Sequence, residues 1–228
     1  HFYIAVDFYE EENATKLIDS FGDLPLITGS SGLAYELARK YSLDSNKGQS
    51  NNLGKILSGK GIIISGSCST ATGNQIDYYL GKGGYAIELD PEKLLEGSQT
   101  LEGLLKLIYS NPADEILIYS YDSNVYLSDE STSSQSMKSD ILEKTMAQIS
   151  KSALSNGFNK IVVAGGETSG AVTKHLGFSM YRIGDPISPG VPVLIPEGSE
   201  EIRLVLKSGN FGEEDFFLKA MDVIGGID

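Results

Sequence analysis

The sequence predicts an α/β fold: a mainly parallel, twisted sheet with helices on both faces and a short antiparallel addition near the C-terminus. Three observations predict it. Short apolar runs rich in Ile and Val alternate with stretches of helical period over most of the length. A strand, a Gly/Ser turn and a helix follow one another three times, at Thr28 to Leu33, Ser65 to Ala71 and Ala164 to Ala171. The last apolar runs are short and split by a Pro/Gly turn, the pattern of an antiparallel edge.

In chain order, Phe2 to Val6 reads as a strand, and Glu10 to Phe21 as an amphipathic helix with Ala14, Leu17, Ile18 and Phe21 on one face. Leu24 to Thr28 reads as a second strand. It runs through Gly29-Ser30-Ser31-Gly32 into a helix over Leu33 to Tyr41. The polar stretch Ser42 to Gly59 reads as a surface connection. Gly61 to Ser65, with three consecutive isoleucines, is a buried strand, followed by Gly66-Ser67-Cys68-Ser69-Thr70 and a helix over Ala71 to Leu80. Tyr85 to Leu89 is a strand. Asp90-Pro91-Glu92 starts a helix with Pro at its first position. Leu101 to Tyr109 is helical and Ile116 to Tyr119 a strand. Asp122 to Ser136 is a Ser-rich loop and Met137 to Ser155 a long helix. Lys160 to Gly170, KIVVAGGETSG, is a β-branched strand, a glycine turn and a helix start capped by Thr168 or Ser169. Met180 to Ile183, Val191 to Ile195 and Ile202 to Leu206 are strands, and Asp215 to Ile224 is the last helix.

The chain has 228 residues, 40% of them hydrophobic, enough for one large domain or two small ones with ample core. No apolar run reaches the ~18 residues of a membrane span, and no signal peptide is visible, so a cytoplasmic location is expected. His1 stands where an initiator Met would, so the chain reads as a fragment. A net charge of −13 argues against nucleic acid or an anionic membrane as partner. With Cys68 the single cysteine and two histidines, there is neither an internal disulfide nor a zinc cluster, and a serine-hydrolase triad is disfavoured. His175 reads as a helix C-terminal residue ahead of Gly177. Gly54 to Gly61 nearly fits a P-loop, but it lacks the final hydroxyl and precedes its strand instead of following it. No G-x-G-x-x-G is present, which counts against a nicotinamide enzyme.

The glycine turns remain. In a parallel sheet, the turns of the three strand–turn–helix units lie at one edge, and a fourth small-residue turn, Ser208 to Gly212, also follows a strand. Such turns present free backbone N–H groups, where phosphate binds. A tight βα turn with no ligand is the alternative. Glu167 is either a helix-start carboxylate favoured by the dipole or an orienter of metal-bound water or ribose. Lys207 reads as a surface lysine that could meet a phosphate, and Cys68 as a small packing residue.

Four ordered stretches, ITGSSGLAYELA (Ile27 to Ala38), SGSCSTATGNQI (Ser65 to Ile76), VVAGGETSGAV (Val162 to Val172) and LKSGNFGEEDFF (Leu206 to Phe217), resemble the four-carbon acid sugar kinases, in their C-terminal, nucleotide-binding half. The resemblance implies an ATP-dependent kinase acting on erythronate-, threonate- or 3-oxo-tetronate-type acids, with Mg²⁺. It implies Ser67, Gly165, Gly166, Glu167, Thr168 and Gly209 as ATP contacts. The expected partners are ATP or ADP and a four-carbon sugar acid, with a homodimer left open. The family's N-terminal half carries a D-D-x-T-G-A motif that holds the sugar acid. This chain has no Asp-Asp pair. It therefore resembles the nucleotide half alone, with residues 1–23 leading in from a sugar-binding half and 24–228 forming the nucleotide-binding domain, and is expected to be inactive by itself. A non-catalytic nucleotide- or ligand-binding regulatory module and a plain interaction domain with inert turns are the other readings.

Overall fold

The computed structural model describes residues 6–7, 9–29, 31–41, 57–120 and 132–226. The chain divides into two compact units, residues 1–50 and 51–228. Most of the strand expected over Phe2 to Val6 and of the loop expected over Ser42 to Gly59 lies outside the described residues.

The first unit contains a helix pair, α1 (Glu11–Phe21) and α2 (Ser31–Tyr41). Ala14 and Ile18 are buried on one face of α1. The carboxylate of Glu36 joins the two helices: Thr15 Oγ1 donates to its Oε2 at 3.1 Å and Arg39 Nε to the same oxygen at 2.9 Å. Leu24 to Thr28 forms no strand, contrary to the sequence expectation. Leu24 and Leu26 are 51% and 82% exposed, and no described segment forms a ladder with them. Apolar alternation marks a strand only where a partner takes up its backbone groups.

The second unit runs β1 (Lys60–Ser65), α3 (Thr70–Gly81), β2 (Tyr85–Glu88), α4 (Pro91–Glu96), α5 (Leu101–Ser110), β3 (Glu115–Tyr119), α6 (Thr132–Ser155), β4 (Phe158–Ala164), α7 (Gly166–Leu176), β5 (Tyr181–Ser188), β6 (Val191–Pro196), β7 (Arg203–Lys207) and α8 (Phe216–Gly225). The strands make one sheet in the order β2-β3-β1-β4-β7-β6-β5. From β2 to β7 the pairs are parallel, and β6 and β5 complete the sheet antiparallel, as expected. Side chains alternate across the pleat. On one face Ile62, Ile64, Ile116, Ile118, Ile161 and Val163 pack against α5, α6 and α7. On the other, Ile63, Leu117, Val162 and Ala164 pack against α3 and α8. Both faces are covered, which is why these strands read as continuous apolar runs.

Helix α6 begins at Thr132, inside the predicted Ser-rich loop. Tertiary support outweighs the poor helix propensity of its serines. Met146, Ile149 and Ala153 bury in the core, and Lys138 reaches Glu92 at 3.0 Å. The tie to α4 holds the polar first turns in register. Pro91 opens α4 as expected, with the Asp90 side chain accepting from the N–H groups of Glu92 and Lys93.

The topology also selects a place for a ligand. The chain leaves β1 toward β2 on one side of the sheet and leaves β4 toward β5, β6 and β7 on the other. Strands β1 and β4 therefore flank the switch point, outside whose carboxyl ends open α/β sheets hold ligands.

Candidate functional site

A crevice of about 1080 Å³ opens over the carboxyl ends of the parallel strands. Its floor is made by the turn after β1 (Gly66 to Thr70) and the start of α7 (Gly165 to Thr168), with Asn210 from the loop after β7. Its outer wall is made by the turn from β2 into α4, by Ser120 after β3, and by Gln135, Lys138, Ser139 and Leu142 on α6.

The turn into α7 is tighter than the sequence implied. The helix starts at Gly166, and its N-cap is Gly165 rather than Thr168 or Ser169. Gly165 has φ of +118°, a conformation side chains rarely adopt, and its N–H donates to Lys207 O at 3.0 Å. It must be glycine for the backbone alone. Gly166 does not have a positive φ, and a Cβ built on it would meet nothing within 4 Å, so its missing side chain leaves open space in the crevice. A strand running straight into a helix leaves no residue free to act as a side-chain cap. The first N–H groups of α7, those of Gly166, Glu167 and Thr168, have no intrahelical acceptor.

Five of the six expected contact residues, Ser67, Gly165, Gly166, Glu167 and Thr168, line this crevice. The sixth, Gly209, sits directly behind: a Cβ on it would fall 2.4 Å from Ser67 Oγ and 2.8 Å from Ser69 Oγ. Thr168 is buried, and its hydroxyl fills the gap between two turns, 2.3 Å from where a Cβ of Gly66 would lie and 3.1 Å from one on Gly165. The glycines are thus the condition for the three turns to touch. The remaining strand–turn–helix unit expected from the sequence, Thr28 to Leu33, belongs to the other compact unit and lacks its strand.

Four residues beneath the loop after β7 carry more of the site than the sequence indicated. Gly209 O lies 2.7 Å from Ser69 Oγ, 2.8 Å from Thr72 Oγ1 and 3.0 Å from Lys207 Nζ. Ser69 also caps α3 by accepting from Thr72 N. Gln75 Nε2 donates to the carbonyl oxygens of Phe211, Gly212 and Glu213 at 2.9–3.1 Å. Lys207 is not the surface lysine expected. Its side chain is 2% exposed, and burial pushes its ammonium down to about 8. The available signal was the spacing of Ser69, Thr72 and Gln75, which puts three polar side chains on one helical face in a strand–turn–helix unit.

Electrostatically the crevice is mixed. Lys138 and Lys93 at its rim are paired with Glu92 and Asp90, each at 3.0 Å. Glu167 is exposed in the first helical turn, where the dipole favours it. Behind it the Glu143 carboxyl is raised, chiefly by burial and then by the charge of Glu167. Among the described residues no group of three or more His, Cys, Asp or Glu could hold a metal ion alone. A phosphate-bound Mg²⁺ needs only one or two carboxylates from the protein, and Glu167 is the carboxylate that the start of α7 brings to the crevice.

Cys68, expected as a small packing residue, is half-buried and lines the crevice. His175 lies in the last turn of α7, as expected, but the carbonyl of Leu176 accepts from Lys151 Nζ of α6 at 3.1 Å. The P-loop-like stretch ends in β1, where Lys60 Nζ bonds Asn111 O at the opposite end of the sheet. Among the described residues no helix is long and apolar enough to cross a membrane.

The family model described as a nucleotide-binding C-terminal domain matches residues 62–217. The chain is 34% identical over 227 residues to the 3-oxo-tetronate kinase of Pectobacterium atrosepticum, covering 96% of this chain and 53% of that one. It is 34% identical over 228 residues to the 3-oxo-tetronate kinase of Cupriavidus necator, covering 96% and 51%. Among solved structures, a protein from Salmonella typhimurium LT2 superposes with a TM-score of 0.72 at 30% identity, covering 94% of this chain and 51% of that one. A Haemophilus influenzae protein superposes with a TM-score of 0.71 at 32% identity, covering 96% and 52%. The chain spans about half the length of the curated relatives it matches.

Proposed function

The chain belongs to the four-carbon acid sugar kinase family, as its nucleotide-binding C-terminal domain, and from that premise we propose that it holds the ATP whose γ-phosphoryl group is transferred to a four-carbon sugar acid. One observation carries the reading. The turns after β1, β4 and β7 meet at the switch point, and the start of α7, with its unpaired first N–H groups, forms the crevice floor together with the small residues Gly66, Ser67 and Ser69. That arrangement suits a chain of phosphates.

In this reading Gly166, Glu167 and Thr168 donate backbone N–H groups to the phosphate oxygens, Gly165 sets the turn, and Ser67 and the Gly209 turn close the opposite side. The transferred phosphoryl group carries spread negative charge, so fixed donors that need no reorganisation lower the barrier. Mg²⁺ would be held from the protein side by Glu167, whose carboxylate lines the crevice. When bound it neutralises charge on the transferring group. A hydroxyl of an erythronate-, threonate- or 3-oxo-tetronate-type acid attacks phosphorus, its proton passes to a base, and ADP leaves. The acid and the base belong to a sugar-binding half, from which residues 1–23 lead in. A cytoplasmic location goes with consumption of ATP.

Calorimetric titration with ATP and with ADP, each with and without Mg²⁺, tests the proposal. Binding of both nucleotides, strengthened by Mg²⁺, is expected. Absence of any nucleotide binding by the folded chain would sink it. With nucleotide bound, the chain alone is expected to transfer no phosphate to erythronate, threonate or 3-oxo-tetronate. Turnover near ~1 s⁻¹, typical of kinases, would show that the acceptor site is here.

A further inference from the structure

We propose that Lys207 is the positioning residue of the nucleotide loop and that nucleotide binding is coupled to the protonation of its buried side chain. This inference rests on the nucleotide reading above and adds to it a residue outside the crevice wall.

The geometry comes first. Lys207 is the last residue of β7, and its own carbonyl takes the N–H of Gly165, the residue that turns the chain into α7. Its Nζ turns under the following loop, 3.0 Å from Gly209 O, 3.2 Å from Phe211 O, 3.4 Å from Ser208 O and 3.0 Å from Thr72 Oγ1. The face of Phe216 closes the other side, 5.7 Å from the nitrogen to the ring centroid. One side chain therefore touches three pieces of the site: the β4–α7 turn through its backbone, and α3 and the 208–211 loop through its ammonium. With the loop carbonyls drawn inward, neither Gly209 N–H nor Asn210 N–H donates to an acceptor among the described residues, and Asn210 lines the crevice.

The charge is the second observation. Among the described residues no carboxylate pairs with Lys207. The carboxylates of the elements around it, Asp77 on α3, Glu167 on α7, Glu213, Glu214 and Asp215 before α8 and Asp222 on α8, are all exposed, as are Lys174 and His175 on α7 and Lys219 on α8. Burial is the one cause of its lowered value of about 8. A cation surrounded only by carbonyl and hydroxyl dipoles lacks a countercharge, and the phosphates of a nucleotide in the crevice would supply it. A nearby anion favours the charged form and raises the lysine's pKa. The sign follows by linkage: the nucleotide binds the protonated form better, so affinity is full below about 8 and declines as pH rises through that value.

The test is calorimetry of Mg·ADP binding to the chain between pH 7.5 and 9.5, in two buffers of different ionisation enthalpy. Above the ~pH 8 midpoint, affinity is expected to fall up to tenfold per pH unit, with uptake of close to one proton per nucleotide at pH 9. Lys207→Met, shown to be folded by circular dichroism, is expected to bind at least tenfold more weakly at pH 7.5 and to lose both the pH dependence and the proton uptake. A merely structural lysine would lower affinity without proton uptake. If the parent binds with a flat profile and takes up no proton, the Lys207 proposal is overturned and the nucleotide reading stands. If the parent does not bind, both fall. If Lys207→Met does not fold, the parent's proton uptake decides alone.

Discussion

Replacing Gly166 by valine tests the proposed phosphate contact separately from folding, because only Gly165 of the two adjacent glycines has a positive φ and only Gly166 has open space where a Cβ would lie. A Cβ on Gly166 meets no heavy atom within 4 Å, and the residue is the first of α7 with an ordinary helical φ. The substitution therefore causes no internal clash. In a helix valine is favoured over glycine by a few tenths of a kcal/mol, so stability should change by less than about 0.5 kcal/mol. The isopropyl group instead occupies open space at a residue that lines the crevice, where the proposed phosphate would approach. Nucleotide affinity is expected to fall at least tenfold, about 1.4 kcal/mol.

The neighbouring position supplies the contrast. Gly165→Ala forces a side chain onto a residue at φ +118° and sets its Cβ 3.1 Å from Thr168 Oγ1. Backbone strain of this kind costs about 1–3 kcal/mol. Urea unfolding and calorimetric titration of both variants and the parent make the comparison. Gly166→Val should unfold with the parent and bind poorly, whereas Gly165→Ala should unfold early. Equal nucleotide affinity in Gly166→Val and the parent would refute the assignment of the phosphates to this helix start.

Gly209→Ala would place a methyl 2.4 Å from Ser67 Oγ and 2.8 Å from Ser69 Oγ. It should cost about 1–3 kcal/mol of stability as overpacking and at least tenfold in affinity, whereas unchanged unfolding would show that the three turns are not in contact. Ser69→Ala removes the N-cap of α3 and one donor to Gly209 O. A loss of about 1–2 kcal/mol in urea unfolding is expected, and a loss confined to α3 with binding intact would detach the cap from the site. Lys207 also predicts a stability trend opposite to its binding trend. Its folded value, about 8, lies below the unfolded ~10.4. The unfolded chain then holds more protons between those values, and stability rises with pH across that window. The unfolding free energy of the parent minus that of Lys207→Met should increase from pH 7.5 to 9.5, and a constant difference would mean that the lysine titrates outside this range.

The sheet was legible because burial on both faces leaves a local signature. Ile62 to Ile64 and Ile161 to Val163 are uniformly apolar whichever way each side chain points. The glycine turns were legible for a similar reason: a residue without Cβ is required wherever three backbones meet, and that requirement is visible in one dimension. Leu24 to Thr28 was misread because a strand is defined by a partner, and periodicity does not report one. The start of α6 was missed because its serines are held helical by contacts with α4 and the sheet rather than by propensity.

The difference between the two glycines was hidden for a different reason. Gly165 and Gly166 are identical as letters, and only the dihedral of one and the empty space beside the other distinguish them. The same holds for the polar layer. Ser69, Thr72, Gln75 and Lys207 are common surface residue types, and Lys207 in particular reads as solvated. They become a site only where α3 and the loop after β7, more than a hundred residues apart in the chain, meet at Gly209 O. Any residue with a side chain at position 209 would separate those groups. The crevice is therefore shaped as much by what supports its floor as by what lines it. The variants that discriminate best alter the support, at Lys207, separately from the surface, at Gly166.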